Sequence, residues 1–260
     1  MATVQANGID IHARWDGPEG APVMLLSNSL GTRLEMWDDQ MEALTAHFRV
    51  LRYDSRGHGR SSAPDRDYTI DELGTDAVAL LDALEIDKVY YCGLSKGGMV
   101  GQWLGCHAGD RVHKLVLSNT AAFMGPRDLW DDRVRISREQ GMEPMVEPIL
   151  ERWFTKAFRE SSPDRVATVR AQLLATPGHG YGACSAAIRD MDQRETIKSI
   201  TTPTLVIAGA ADPATPPEAG QLIADSIPGA GIEIIPDAAH LANIEQTGIY
   251  NRVLVDFLTS

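Results

Sequence analysis

Nowhere in the 260 residues does an apolar run approach the roughly 20 residues that span a bilayer, so no membrane helix is expected. Cysteine is scarce. Cys92, Cys106 and Cys184 are an odd number without CxxC spacing, which argues against a disulfide framework and a zinc site and for buried thiols in a reducing compartment. The opening stretch, MATVQANGIDIHARWDG, lacks a basic segment followed by an apolar one, so no export signal is read and a cytoplasmic location is expected. Positive charge is also in deficit: 24 Lys and Arg stand against 36 Asp and Glu, a net charge of −12. Such a surface repels phosphate backbones and anionic lipids, so neither nucleic acid nor membrane is an expected partner. It would repel a small anionic substrate too, and a site for one would need its own cations. There is no internal repeat and no low-complexity tract.

What is present is alternation. Short runs rich in β-branched and aromatic residues, bounded by turn residues, predict strands at Thr3–Asn7, Ile9–Trp15, Val23–Ser27, Arg49–Tyr53, Val89–Cys92, Lys114–Leu117, Thr204–Ala208 and Gly231–Ile235. Helical spacing of apolar residues predicts helices at Thr69–Leu84, Gly98–His107, Ala219–Ser226 and Ile244–Leu258. Two hairpin-like strands followed by strand–helix alternation describe an α/β fold with a mostly parallel eight-stranded sheet covered on both faces. The alternation breaks between Thr120 and Thr201, where only helical segments punctuated by proline occur. Residues 121–198 are therefore expected to form a helical cap inserted after the sixth strand, with 1–120 and 199–260 as the core.

The stretch GLSKGG follows the apolar strand VYYC and opens a helix, the context that a G-x-S-x-G nucleophile elbow requires. Glycines two positions before and after Ser95 relieve collisions at so sharp a turn, lifting the hydroxyl and aiming a helix N-terminus at it. The elbow implies an acid and then a histidine later in the chain. Of seven histidines, only His240, in PDAAHLANIE, follows the last strand. His58, in the glycine-rich turn DSRGHGRSS, precedes Ser95 and is read as structural. The strand before the insertion ends LVLSNT and supplies no carboxylate, whereas the one after it ends LVIAGAADPATPP and supplies Asp212. Asp212 would hold the His240 tautomer, and Asp237 is read as a turn residue. Two backbone donors are expected to meet the oxyanion: the N–H of Lys96 and that of Ser29, with Leu30 the near alternative. Ser27 and Asn28 would brace the Ser29 loop.

At these residues the chain resembles the α/β-hydrolase superfamily over its full length. More narrowly it resembles the 3-oxoadipate enol-lactonases, through LLSNSLGTRLEMWDDQ, RYDSRGHGRSS, GLSKGGMVGQWLG, LVLSNTAAF and ADPATPP. The SNSLG loop is the more discriminating match, because most relatives place HG there. The resemblance implies the α/β-hydrolase fold and hydrolysis of the enol-lactone to 3-oxoadipate in aromatic-compound breakdown, without metal or cofactor. By residue it implies Ser95 as nucleophile, Asp212 as acid and His240 as base. Relatives often carry methionine where this chain has Lys96.

The partner expected from these readings is a small anionic lactone or ester. Its carboxylate calls for a local cation, preferably arginine. In RDLWDDRVRISREQ, a helix would bury Trp130 and Val134 one turn apart and set Arg133 at the border of that stripe, with Arg133 either facing the cleft or solvated. Arg135 and Arg138 are expected in solvent, with an Asp131–Arg135 pair. Trp130, Trp153 and Leu30 are candidate pocket walls, the two tryptophans also being plausible packing residues. Lys96 has three readings: a substrate contact, a partner for an acidic residue, or a general base. Rival activities are a carboxylesterase, a perhydrolase or a carbon–carbon hydrolase of meta-cleavage products, and from another class a slow ligand receptor.

Overall fold

The structure is a computed structural model that describes residues 2–260. Eight strands, β1 (Ala2–Ala6), β2 (Ile9–Asp16), β3 (Val23–Ser27), β4 (Arg49–Tyr53), β5 (Val89–Leu94), β6 (Val112–Ser118), β7 (Thr204–Gly209) and β8 (Gly231–Ile235), form one sheet. Their order is β1-β2-β4-β3-β5-β6-β7-β8. β1 and β2 pair antiparallel with each other, as does β2 with β4, and every other pairing is parallel. Central strands such as VMLLS and TLVIAG are apolar almost throughout because helices cover both faces of a parallel sheet. Each predicted strand is found, with ends that differ by at most two residues.

The core helices are α1 (Met41–Thr45), α2 (Ile70–Ala83) and α3 (Lys96–His107). Thr69 and Glu72 cap α2 reciprocally, satisfying two of the amide donors that a helix start leaves open. Between β6 and β7 the chain forms α4 (Arg127–Gln140), α5 (Glu143–Trp153), α6 (Lys156–Ser161), α7 (Pro163–Ala175) and α8 (Gly178–Asp190). α4 covers the RDLWDDRVRISREQ segment and buries Trp130 and Val134. The expected Asp131–Arg135 pair does not form: Arg135 bonds Asp132 and Glu139, while Asp131 is taken by Arg189 of α8. Arg138 and Arg189 both reach Asp67 in the loop before α2, tying the insertion to the core.

After β7 come α9 (Pro217–Ser226), α10 (Ala242–Glu245) and α11 (Thr247–Thr259). The single closing helix expected over Ile244–Leu258 is thus two. Gln246 leaves helical geometry at φ −124°, and the Thr247 hydroxyl donates to the carbonyls of Asn243 and Ile244 that would otherwise continue the ladder. Among the described residues no helix is long and apolar enough to cross a membrane.

The chain leaves β3 for β4 on one side and reaches β5 on the other, so the loops after β3 and β5 diverge. Ser27 is in register with Gly93, and Leu94 with Ser118, which brings the carboxyl ends of β3, β5 and β6 to one rim. Ligands of open α/β sheets sit at such a switch point.

Candidate active site

Ser95 stands between β5 and α3 with φ 57° and ψ −114°, a strained conformation for a residue with a side chain. Its N–H donates to the Ser118 carbonyl at 2.9 Å, and its own carbonyl accepts from Met99 N–H and the Thr120 hydroxyl, so the backbone is held there. The flanking glycines are required by proximity. A Cβ on Gly93 would lie 2.1 Å from the Gly97 carbonyl oxygen, and one on Gly97 would lie 2.2 Å from that of Ser27.

The Asp212 and His240 side chains meet at the ends of β7 and β8. Asp212 Oδ2 lies 2.9 Å from His240 Nδ1 and also accepts from the Thr215 hydroxyl at 2.7 Å and Asn119 Nδ2 at 3.1 Å. Its Oδ1 accepts from the N–H groups of Ala214 and Thr215. Burial alone would raise the Asp212 pKa, but the His240 charge and the hydrogen bonds from His240, Asn119 and Thr215 prevail and hold it below the ordinary 3.8. With Asp212 Oδ2 bound at Nδ1, His240 turns its other ring nitrogen, Nε2, away from the acid. Asn119 also donates to the Ala239 carbonyl, joining the end of β6 to the His240 loop.

The loop after β3 is braced as expected. Ser27 Oγ bonds the Tyr53 hydroxyl, and Asn28 bonds the Tyr53 carbonyl and the Trp37 indole. Its donors are distributed differently from the expectation. The Ser29 N–H points to Met36 Sδ at 3.3 Å, and Gly31 N–H donates to His58 Nε2 at 2.8 Å. Among the described residues the Leu30 N–H has no acceptor, and neither does that of Lys96, so Leu30 replaces Ser29 as the open donor of this loop. His58 is buried, with Nδ1 against the Arg56 carbonyl at 3.1 Å. Burial, then the Lys96 charge, push its pKa far below the usual 6.5. It is a neutral acceptor that shapes the loop, consistent with a structural role.

Ser95 and His240 line one cavity of about 380 Å³ together with Ser29, Leu30, Trp130, Arg133, Arg152, Trp153 and Tyr181. Arg133, Trp130, Leu30 and Trp153 are thus all brought to the wall. Arg133 lies over the Trp130 ring at 4.5 Å, and the Trp130 indole N–H donates to the Met124 carbonyl. Arg152, from α5, joins Arg133 on the same wall. Half-buried, it has its pKa lowered first by desolvation and then by the Arg133 charge. The cavity wall carries no carboxylate side chain, and among the described residues neither arginine forms an ion pair. Helical periodicity identifies the Arg133 face, but Arg152 reaches the cavity only through the way α5 packs.

Lys96 fits none of its three readings. Its side chain is 1% exposed, is absent from the cavity wall, and its Nζ has no hydrogen-bond partner among the described residues. Burial lowers its pKa, with Cys184, Asp54 and Asp76 acting in the opposite sense. The three cysteines are free. Among the described residues no cluster of three or more His, Cys, Asp and Glu is arranged to hold a metal ion.

Residues 22–247 match the family model of the alpha/beta hydrolase fold. The chain is 38% identical over 252 residues to 3-oxoadipate enol-lactonase 2 of Acinetobacter baylyi, covering 97% of this chain and 94% of that protein. It is 32% identical over 256 residues to RutD of Variovorax paradoxus, a protein named for carbamate hydrolysis, covering 95% of this chain and 96% of that one. The crystal structure of the enol-lactonase from Burkholderia xenovorans LB400 superposes with a TM-score of 0.98 at 41% identity over the whole of both chains.

Proposed function

Because this chain belongs to the α/β-hydrolase family, and is a hydrolase of the enol-lactonase type, we propose that it opens 3-oxoadipate enol-lactone to 3-oxoadipate with Ser95, His240 and Asp212 as its catalytic triad. The observation that carries the choice of substrate is the pair of guanidinium groups, Arg133 and Arg152, on the wall that also holds Ser95 and His240. Two cations without a carboxylate partner, in a protein of net charge −12, suit a substrate that brings its own carboxylate. The neutral esters of rival hydrolases would leave both unpaired.

In this reading His240 Nε2 takes the Ser95 proton as Oγ attacks the lactone carbonyl. The tetrahedral oxyanion sits between the N–H groups of Leu30 and Lys96, each donor contributing roughly 3–4 kcal/mol. Collapse breaks the ring C–O bond and expels an enolate. The imidazolium of His240 passes the Ser95 proton to the enolate, which becomes the ketone and leaves His240 neutral again. Water, deprotonated by His240, then releases the acyl group as the second carboxylate. An enolate leaves more readily than a simple alkoxide, so oxyanion stabilisation and positioning are the protein's main tasks. Residues 121–198 act as the cap that closes this cavity, and a cytoplasmic setting, where the three free thiols persist, belongs to the same reading.

Loss of ultraviolet absorbance on consumption of the enol-lactone, compared between wild type and Ser95→Ala, tests the assignment. A panel of neutral aryl esters and carbamates run beside it tests the substrate. Strong preference for a neutral ester or carbamate would overturn the lactone reading, and full activity of Ser95→Ala would overturn the triad.

A further inference from the structure

Both residues that flank His240 are fastened to the helical insertion. On one side the Leu241 N–H donates to the Trp153 carbonyl at 3.1 Å, and the Trp153 ring lies 5.8 Å from the imidazole, centroid to centroid. On the other side the Ala239 N–H donates to Glu245 Oε2 at 2.9 Å. The second oxygen of the same carboxylate, Oε1, accepts from the Thr155 N–H at 3.0 Å and from the Thr155 hydroxyl. Thr155 is in turn the N-cap of α6, its hydroxyl accepting from the Phe158 N–H at 3.2 Å. Glu245 is 8% exposed and is not among the residues that line the cavity.

Three donors from two distant parts of the chain therefore converge on one buried carboxylate. We propose that Glu245 is a positioning residue. It locks the backbone at His240 to the Trp153–Thr155 edge of the cavity, so that the aim of the imidazole and the place of that wall are set together. The proposal rests on His240 being the base of the reaction. The chemistry of the group favours a carboxylate at this point. An amide of the same shape has one oxygen only, so its NH₂ would face either Ala239 N–H or the two Thr155 donors, and one arm of the clamp would be lost. A shift of the imidazole by a fraction of an ångström is enough to slow proton transfer from Ser95.

The test reads the rate at which Ser95 reacts, apart from how much protein is folded. A neutral alkyl fluorophosphonate forms a Ser95 Oγ–P bond as the P–F bond breaks, with the proton passing to His240 and fluoride leaving. Intact mass gives both the labelled fraction and the rate constant. In Glu245→Gln the rate constant is expected to fall about 10- to 100-fold at an unchanged final labelled fraction. kcat for the lactone should fall in parallel. Thr155→Val, which removes one donor and leaves Glu245 in place, is expected to fall less in the same direction, and it carries the test if Glu245→Gln does not fold. A merely structural role lowers the labelled fraction and leaves the rate constant of the folded protein unchanged. That result, in either variant, overturns the proposal while the triad stands. A wild type that is not labelled at Ser95 overturns the triad, and the proposal with it.

Discussion

Lys96 follows Ser95 directly in the chain, yet the two side chains part company. The Ser95 hydroxyl enters the cavity, whereas the Lys96 ammonium is sealed in the interior with no hydrogen-bond partner among the described residues. A cation in that position is a cost to the fold, and substitution should reveal it.

Lys96→Met is expected to stabilise the protein at neutral pH by about 1–3 kcal/mol, the usual penalty for an unsatisfied buried polar group. The sign follows from linkage. The folded lysine titrates below its ordinary 10.5, so between the two values the unfolded chain holds the extra proton and wild-type stability rises with pH. The advantage of the variant should therefore shrink as pH approaches 10.5, which thermal melts across pH would show. KM for the lactone should not change, because Lys96 lies off the cavity wall.

Arg152→Gln and Arg133→Gln should each raise KM for a carboxylate-bearing lactone about 10- to 100-fold, the weight of one charge-assisted hydrogen bond. Hydrolysis of a neutral aryl ester should move by less than threefold in the same proteins, or about 0.6 kcal/mol. Steady-state kinetics on the two substrates separates loss of carboxylate reading from general damage.

Asp212→Asn should cut kcat roughly ten-thousand-fold by favouring the wrong His240 tautomer. It should also alter acid stability. The folded Asp212 pKa is below 3.8, so the carboxylate stabilises the native state above that pH and loses this contribution as pH falls through the lower folded value. The stability gap between wild type and variant, read from urea melts, should accordingly be widest above 3.8 and close in stronger acid.

Gly97→Ala places a methyl group where the Ser27 carbonyl oxygen stands 2.2 Å away, with backbone on both sides of the clash. A loss of about 1–3 kcal/mol is expected from overpacking, measurable by thermal melting. Activity should fall further than stability, because the Gly97 N–H bonds the Asn28 carbonyl and so joins the elbow to the Leu30 loop.

Much of the fold could be read from local chemistry. Strands such as VMLLS, helix α2 with its Thr69 and Glu72 cap, and the glycine-flanked Ser95 each carry their signal within a few neighbouring residues. Asp212 and His240 followed from chain order, since an elbow leaves few places from which an acid and an imidazole can reach it. The end of β6, LVLSNT, offers no carboxylate, so its sequence gives no sign that Asn119 belongs to the site. The asparagine there, at φ 42°, supports the acid from the next strand instead.

The order of residues alone determined where the chain bends, which segments are buried and which side chains are candidates for acyl transfer, because these depend on spacing of one to four positions. It did not determine which backbone N–H stays open at the Leu30 loop, where the Lys96 ammonium goes, or that Arg152 and Arg133 share a wall. Those depend on how separate elements pack in three dimensions: Met36 against Ser29, β5 against α3, α5 beside α4. Only the folded molecule sets such distances, and a difference of a few ångströms there decides whether a group meets the substrate or the core.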